Sequence, residues 1–581
     1  MSNLKYAIHI DEAFDRLKFT PRIGQREAVN AILTECIDNK KRNIILCAPT
    51  GTGKSIIGAA SAEALTLAKG GSALTPKSSI SVVSTNVLAK QYGETFGELE
   101  KEKKYIMLKG AANYPCSVLT TPEEEVQADS CAWFNMVSNS EFADTVKQHC
   151  DSCEYRQSRK VKNLVRHLTT NYSYFFIDRM YTGQFENRDL IVWDEAHLVN
   201  DLFSDHNAIH FSQKKLQALA MEIADMVKMI DPKIGKSLAA IINDCGKKDK
   251  ITDKNYKSYL TALHEIYTDV QTEATSLATT ALRSSKTGQY TKLSKIAKKY
   301  EGMACKIDDF FNFNYPHVFE YKEEEKAVSV KPIFVGEMIK ELQCADHNLF
   351  MSATISEEFM ATTLNLSKED TAFIKLEPTF PKENKEVVFF DAMSLNYSSL
   401  QNADVVKKLR HNVASIVKKH VADGDRGIIL TPSFKLQNEI MAELQPQIKA
   451  KTFKMFEHKQ GEKLEHVLKE FKAYTGGEAV LISPAMFEGI DLPGDLSRFQ
   501  ILVKAPFPSL ADKRMKYILD HHSNIYSGIT IMKIVQGAGR SVRSATDHAT
   551  TYCMDLNGQR LFTSSTNIWK NEFTTRFTKF L

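Results

Sequence analysis

The sequence predicts an α/β protein built on two separate parallel sheets, with two insertions in the first. Three observations carry this reading. Short apolar runs recur along the chain, each followed by a stretch with helical spacing. The runs fall into two groups: Asn43–Cys47, Ile80–Ser84, Leu190–Trp193 and Asn348–Ser352, then Val387–Phe390, Gly427–Thr431, Ala479–Ile482, Gln500–Val503 and Thr550–Met554. Within the first group the texture of the chain changes twice.

Continuous apolar runs of this length fit parallel strands covered on both faces. Their alternation with helical patterns implies α/β lobes, one per group. From 110 to 160 regular patterning is poor and cysteine is frequent. From 201 to 328, Lys, Ala, Leu, Glu and Ile recur at helical spacing, as in Ser212–Ile230 and Tyr256–Arg283, and strand-like runs are scarce. A mostly helical insertion is expected there. The expected division is lobe 1 at 1–109, 161–200 and 329–380, a cysteine-rich unit at 110–160, a helical unit at 201–328 and lobe 2 at 381–581.

A chain of 581 residues is too long for one core. Its 43% hydrophobic and 25% charged residues fit an ordinary globular protein. No apolar run approaches the roughly 18 residues a membrane span needs, so no membrane partner is expected. Met1–Phe14 carries Asp11 and Glu12 and has no apolar core, which argues against a secretion signal. A reducing cytoplasm is therefore expected, and the ten cysteines are not expected to form disulfides. The net charge of +4 is too close to balance to name a partner. Arg156–Arg166 (RQSRKVKNLVR) is locally basic, which suits a phosphate backbone or a solvated helix face.

The strongest motif is APTGTGKS, comprising Ala48, Pro49, Thr50, Gly51, Thr52, Gly53, Lys54 and Ser55. It follows a strand-like run and opens a helical pattern, the context a phosphate-binding loop requires. Glycines let backbone N–H groups approach phosphates at a helix N-terminus. Lys54 is expected to reach the β- and γ-phosphates of ATP, and Ser55 to bind Mg²⁺. DEAH follows the run LIVW. There Asp194 is expected to hold Mg²⁺ and Glu195 to orient or deprotonate the attacking water, while His197 couples the lobes. Further signals fall in order. FTPRIGQ offers Gln25 to the adenine edge, and SAT occupies Ser352–Thr354. FEGID offers Gly489 and Asp491 to the nucleotide. QGAGRSVR offers Gln536, Arg540 and Arg543 from the second lobe, where arginines can stabilise charge developing on the γ-phosphate.

This ordered set, with STN at Ser84–Asn86, resembles the superfamily 2 helicases. LKGAANYPC (Leu108–Cys116), FEGIDLPGDLSRFQILVKAPFP (Phe487–Pro508) and RSATDHATTYCMD (Arg543–Asp555) are similar to the XPD/DinG family within it. The resemblance covers nearly the whole chain and is weakest across the helical insertion. It implies two RecA-like lobes, with a cluster domain at 110–160 and an arch domain at 201–328. It also implies ATP-driven, 5′→3′ movement on single-stranded DNA in replication, repair or recombination. The implied partners are single-stranded and forked DNA, with RNA–DNA hybrids a further candidate class. A monomer in a bacterial, phage or archaeal cell is expected.

Cys116, Cys131, Cys150 and Cys153, with fourteen, eighteen and two residues between them, can hold either a cluster or a structural Zn²⁺ by spacing alone. The resemblance implies [4Fe–4S]. It also makes Thr85, Asn86, Lys109, Tyr155, Arg159, Ser433 and Phe487 candidate DNA contacts, since single-strand grooves combine cations with stacking aromatics. Two departures stand out. Met486-Phe487 stands where relatives read Phe-Trp, and Ala111 stands where relatives often place Arg. Two other readings fit the motifs: a translocase that strips proteins from DNA, and a redox-responsive binding module whose ATPase is a switch.

Overall fold

The computed structural model describes residues 4–71, 78–115, 127–128, 153–212, 254–283, 287–313, 315–322, 327–378, 380–390, 393–484, 492, 494–542, 544 and 546–579. Along the chain, β1 (Asn43–Cys47), β2 (Ser79–Val83), β3 (Tyr105–Leu108), β4 (His167–Asn171) and β5 (Arg188–Asp194) come first. An insertion then contributes β6 (Ile209–Ser212), β7 (His317–Lys322) and β8 (Ala327–Pro332). The chain returns with β9 (Ala345–Ser352) and β10 (Thr371–Lys375). Lobe 2 follows with β11 (Lys385–Phe390), β12 (Gly427–Leu430), β13 (Lys454–Glu457), β14 (Ala479–Ser483), β15 (Phe499–Leu502), β16 (Ala549–Cys553) and β17 (Thr574–Thr578).

Lobe 1 is a parallel sheet in the order β10-β1-β9-β5-β2-β4-β3. Lobe 2 is a second parallel sheet, β13-β14-β12-β15-β16-β11-β17. These are the two RecA-like lobes. The apolar runs expected as strands are strands, and the two groups fall in the two sheets. Both β1 and β14 are buried along their whole length, as central parallel strands must be.

The strands that the apolar pattern does not reveal have two physical explanations. Some sit at edges: β13 and β17 close lobe 2, and the exposed residues of β17 make it polar. Strand β4 (HLTTN) is interior, yet it carries buried polar residues. His167 is satisfied by a neighbour, its Nδ1 lying 2.9 Å from Ser79 Oγ, whereas the Thr170 hydroxyl is buried without a hydrogen-bond partner among the described residues.

Two long helices, Tyr256–Arg283 and Thr287–Phe313, fill the described insertion. On the first, Leu260, Leu263, Tyr267, Val270, Ala274, Leu277 and Ala281 are buried at alternating spacings of three and four, a coiled-coil-like seam. Tyr267 meets Tyr300 of the second helix at 5.3 Å between ring centroids. The region is not as poor in strands as its sequence texture suggests. Strands β6, β8 and β7 form an antiparallel sheet beside the helices. In β7 no residue is buried, which blurs the apolar alternation that marks a half-buried strand. The Ser212–Ile230 helical stretch lies almost wholly outside the described residues. Among the described residues, no helix is long and apolar enough to cross a membrane.

Candidate active site between the lobes

The strand order of lobe 1 builds this site. Strand β9 lies between β1 and β5, so the carboxyl ends of three adjacent strands converge. Ligands of open α/β sheets bind at that edge. The three ends deliver Ala48 at the start of the phosphate loop, Ser352 of the SAT motif and Asp194. The Ala48 amide donates to the Ser352 carbonyl at 2.9 Å, which ties the first two together.

The phosphate loop turns through left-handed backbone at Gly51 (φ 86°) and Gly53 (φ 75°). Gly53 is required twice, because a Cβ there would also stand 2.5 Å from Gln25 Nε2. The helix Lys54–Ala68 starts immediately after it. Its Gly58 lets the helix lie directly on β5: an added Cβ would stand 2.9 Å from Val192 Cγ1. Thr52 Oγ1 donates to the Pro49 carbonyl at 2.8 Å and Lys54 Nζ to the Ala48 carbonyl at 3.4 Å, so the loop is internally braced. Gln25 is buried. It accepts from Arg22 N at 2.9 Å and donates to the Thr52 carbonyl at 2.8 Å. Its amide thereby braces the loop.

Asp194 is buried at the end of β5. One carboxylate oxygen accepts from Tyr92 Oη at 2.8 Å and the other from the Glu195 amide at 3.0 Å. Burial first, and then the Glu195 carboxylate, push its carboxyl above the usual carboxylate range, while Lys54 and the Tyr92 hydrogen bond act against this. Ser55 also reaches the Tyr92 hydroxyl, which sets Ser55 beside Asp194. A hydroxyl beside a buried carboxylate offers the oxygen ligands a hard divalent cation takes, and Ser55 and Asp194 are the residues that would hold Mg²⁺. Tyr172 Oη donates to the Asp194 carbonyl at 2.8 Å. Tyr92 and Tyr172 belong to no motif. Only the sheet order, which brings their elements against β5, reveals them.

Glu195 holds a left-handed backbone (φ 49°), and its Oε2 lies 3.4 Å from His197 Nδ1. A chain of contacts links it to lobe 2. Gln536, on the helix Ser523–Ala538, donates through Nε2 to His197 Nε2 at 3.0 Å. His197 then carries its proton on Nδ1 and meets Ser352 Oγ at 2.8 Å. Ser352 Oγ donates in turn toward Glu195 Oε2 at 3.5 Å. Arg540, one turn beyond Gln536, is buried. Gly489, Asp491 and Arg543 lie outside the described residues.

The candidate strand-facing residues separate into three classes. Thr85 and Ser433 are exposed N-caps of the helices Asn86–Thr95 and Phe434–Lys449, following β2 and β12 in the two lobes. Exposed Asn86 belongs to a row of amides: Asn171 Nδ2 donates to it at 2.6 Å, and it donates to Asn113 Oδ1 at 3.4 Å. Tyr155 is instead buried against Tyr114, with ring centroids 5.4 Å apart, and its face is not open to a base. Arg159 lies over that ring at 5.7 Å and hydrogen-bonds Gln184. Lys109 donates its amide to Tyr114 Oη at 3.2 Å. The basic stretch is also divided, because Lys162 and Arg166 are buried and internally paired. Phe487 lies outside the described residues.

Cys153, at the start of the helix Glu154–Val161, is part-exposed and packs beside Tyr114 and Tyr155. Cys116, Cys131 and Cys150 lie outside the described residues. Among the described residues, no three His, Cys, Asp or Glu side chains are grouped to hold a metal ion.

A family model for the helicase C-terminal domain matches residues 416–574. A model for the res subunit of type III restriction enzymes matches residues 18–227. The ATP-dependent DNA helicase YoaA of Escherichia coli (strain K12) is 20% identical, over 92% of this chain and 91% of that protein. The ATP-dependent DNA helicase DinG of Photobacterium profundum is 24% identical over 40% of this chain, and the match spans only 35% of the relative. The probable ATP-dependent helicase YpvA of Bacillus subtilis is 26% identical over 39% of this chain and 34% of its own length. In fold, an XPD helicase structure superposes over 96% of this chain and 100% of its own, with TM-score 0.62 at 14% identity. Two parallel lobes with the fold of the XPD structure, and family models matched over 18–227 and 416–574, agree with the motif order: the chain is similar to the XPD/DinG helicases in sequence and to XPD in fold.

Proposed function

We propose that the chain is an ATP-driven motor that moves 5′→3′ on single-stranded DNA and separates duplexes ahead of it. The observation that carries this reading is the contact chain Gln536–His197–Ser352–Glu195, which links a lobe 2 helix to the residue that would orient the attacking water. Such a chain makes hydrolysis depend on how the lobes sit. Lys54, Ser55 and Asp194 bind the nucleotide and its Mg²⁺ from lobe 1. Gln25 braces the loop, while Gly489, Asp491, Arg540 and Arg543 approach from lobe 2. Closure follows contacts to the γ-phosphate and is released on hydrolysis. The exposed helix starts at Thr85 and Ser433, with Asn86, then grip the strand alternately. Separating a base pair costs about 1–2 kcal/mol of stacking, so one step per ATP is energetically permitted.

In this reading residues 110–160 form a [4Fe–4S] domain held by Cys116, Cys131, Cys150 and Cys153, and residues 201–328 form an arch beside it. The direction of movement and the cluster rest on the family resemblance. The deciding experiment is strand displacement with ATP and Mg²⁺ on two duplexes, one with a 5′ tail and one with a 3′ tail. Unwinding of the 5′-tailed duplex alone is expected. Unwinding of the 3′-tailed duplex alone overturns the direction. DNA-stimulated ATP turnover without unwinding favours a translocase.

A further inference from the structure

Apart from the interlobe linker at 376–384 and the Gln536–His197 contact, the lobes are also joined at Arg514. Arg514 of lobe 2 is 1% exposed and lies at the start of the helix Lys513–His521. Its Nη1 donates to Asp201 Oδ1 at 2.8 Å, and its Nε donates to the Ile333 carbonyl at 3.0 Å. These two acceptors flank the insertion where the chain enters and leaves it. Asp201 is on the helix Val199–Asn207, which begins one short turn after the Asp194–His197 motif. Ile333 follows β8, where the chain leaves the insertion.

The two acceptors are themselves stapled. Asn200 Nδ2 donates to the same Ile333 carbonyl at 3.5 Å, and Asn200 Oδ1 accepts from the Val335 amide at 3.2 Å. Ser204 Oγ donates to the Pro332 carbonyl at 2.6 Å. Around this node Lys513 Nζ reaches the Phe319 carbonyl of β7 at 3.2 Å, and Phe334 meets His522 at 5.0 Å. The insertion, although threaded through lobe 1, is thus docked on lobe 2. The direct ion pair from lobe 2 to the helix Val199–Asn207 is made by one buried guanidinium, whose Nη2 has no hydrogen-bond partner among the described residues, while Lys331 of β8 bridges Asp205 at 2.6 Å and Asp512 at 4.0 Å beside it. A buried cation between two bodies that must separate is bound well in only one of their arrangements.

We propose that Arg514 is a positioning residue that carries the state of the nucleotide cleft into the insertion, through Asp201 on the helix behind the acidic motif and the carbonyl of Ile333. The proposal rests on the reading that nucleotide binds and closes the cleft. Closure seats the guanidinium, and the seated guanidinium holds the chain where it leaves the insertion. The insertion then follows the ATPase cycle without touching the nucleotide.

Amide hydrogen exchange on the full chain, with and without Mg²⁺ and AMP-PNP, tests this. Two probes are followed: the amides of Ile56 and Ile57, which report the phosphate-loop helix, and the amide of Val335. In the wild type, nucleotide is expected to slow exchange at both, by about fivefold or more at Val335, the lower end of ordinary coupling between sites. Arg514→Met is expected to keep the response at Ile56 and Ile57 and lose it at Val335. Arg514→Lys, which still reaches Asp201, restores part of it. Asp201→Asn, at a side chain 45% exposed, is the gentler variant and is expected to lose most of the Val335 response with the fold intact. Undiminished protection of Val335 in Arg514→Met and Asp201→Asn overturns the proposal, as does a wild type that protects only the loop helix. A wild type that protects neither probe overturns the nucleotide-site reading itself, and the proposal with it.

Discussion

The indole nitrogen of Trp569 lies 3.2 Å from the thiol of Cys47, joining the last segment of lobe 2 to the strand that feeds the phosphate loop. Trp569 is buried, and its neighbours hold both ends of the linker between the lobes. Lys375 Nζ bonds the Ile568 carbonyl at 2.7 Å, and Lys385 Nζ lies 4.9 Å from the centre of the Phe573 ring. Trp569→Ala is expected to destabilise the protein by about 3–5 kcal/mol. Trp569→Phe, which loses only the N–H and part of the ring, is expected to lose less than half of that. Chemical denaturation followed by circular dichroism measures both, and equal losses would mean that packing at the linker does not matter.

Tyr92 fixes the carboxylate of Asp194 through a single hydroxyl. Tyr92→Phe keeps the packing and removes the bond. Partners of a metal-binding side chain commonly change affinity by about 10–100-fold. The Mg²⁺ concentration for half-maximal ATP turnover is therefore expected to rise about tenfold at the low end of that range, with a smaller change in the maximal rate. Mg²⁺ titrations of the two proteins settle it.

Glu63, on the phosphate-loop helix, is the centre of a buried charge network. Arg166 Nη2, Arg16 Nη1 and His167 Nε2 lie 2.7, 3.1 and 3.3 Å from its oxygens. Burial pushes its carboxyl upward, but His167 and Arg166 outweigh that and hold it at about 2, against an ordinary 4.5. A depressed value in the folded state means the stabilisation is complete above 4.5 and is lost as the pH falls toward about 2. Glu63→Gln, which breaks a buried pair, is expected to cost roughly 3 kcal/mol at neutral pH. Its disadvantage should shrink through that acid window. A pH-independent difference would exclude the network as its cause.

The phosphate loop gives two sharper substitutions. Lys54→Ala is expected to abolish ATP turnover while leaving the melting profile unchanged. Gly53→Ala is expected to weaken nucleotide binding for a different reason, since its methyl would strike the Gln25 amide at 2.5 Å. Pairing Gly53→Ala with Gln25→Ala should recover part of the binding. No recovery would leave the left-handed backbone as the whole cause.

The cluster reading has its own assay. The purified protein is expected to be coloured and to carry iron, and Cys116→Ser to lose both. A colourless wild type with stoichiometric zinc would replace the cluster with a structural zinc site.

Much of the scaffold was legible from runs such as NIILC and AVLI, because a strand buried on both faces has nowhere to put a polar side chain. The phosphate loop and the acidic motif were legible because their chemistry demands fixed spacing along the chain. Tyr92, Tyr172, Arg514 and Trp569 were not, since each acts across elements that only the sheet order and the lobe docking bring together. The insertion's antiparallel sheet was missed because β7 lies part-exposed beside two strongly periodic helices. Tyr155 shows the opposite failing: an aromatic beside basic residues suggests a stacking surface, yet it is buried against Tyr114.

The left-handed backbone of Glu195 sets heat resistance against work. Holding a side chain in that conformation costs about 1–2 kcal/mol, which glycine would not incur. Glu195→Gly should therefore melt higher and hydrolyse nothing. A laboratory selection for thermal tolerance alone would drift toward erasing this glutamate, whereas one that also demands ATP turnover must raise stability elsewhere.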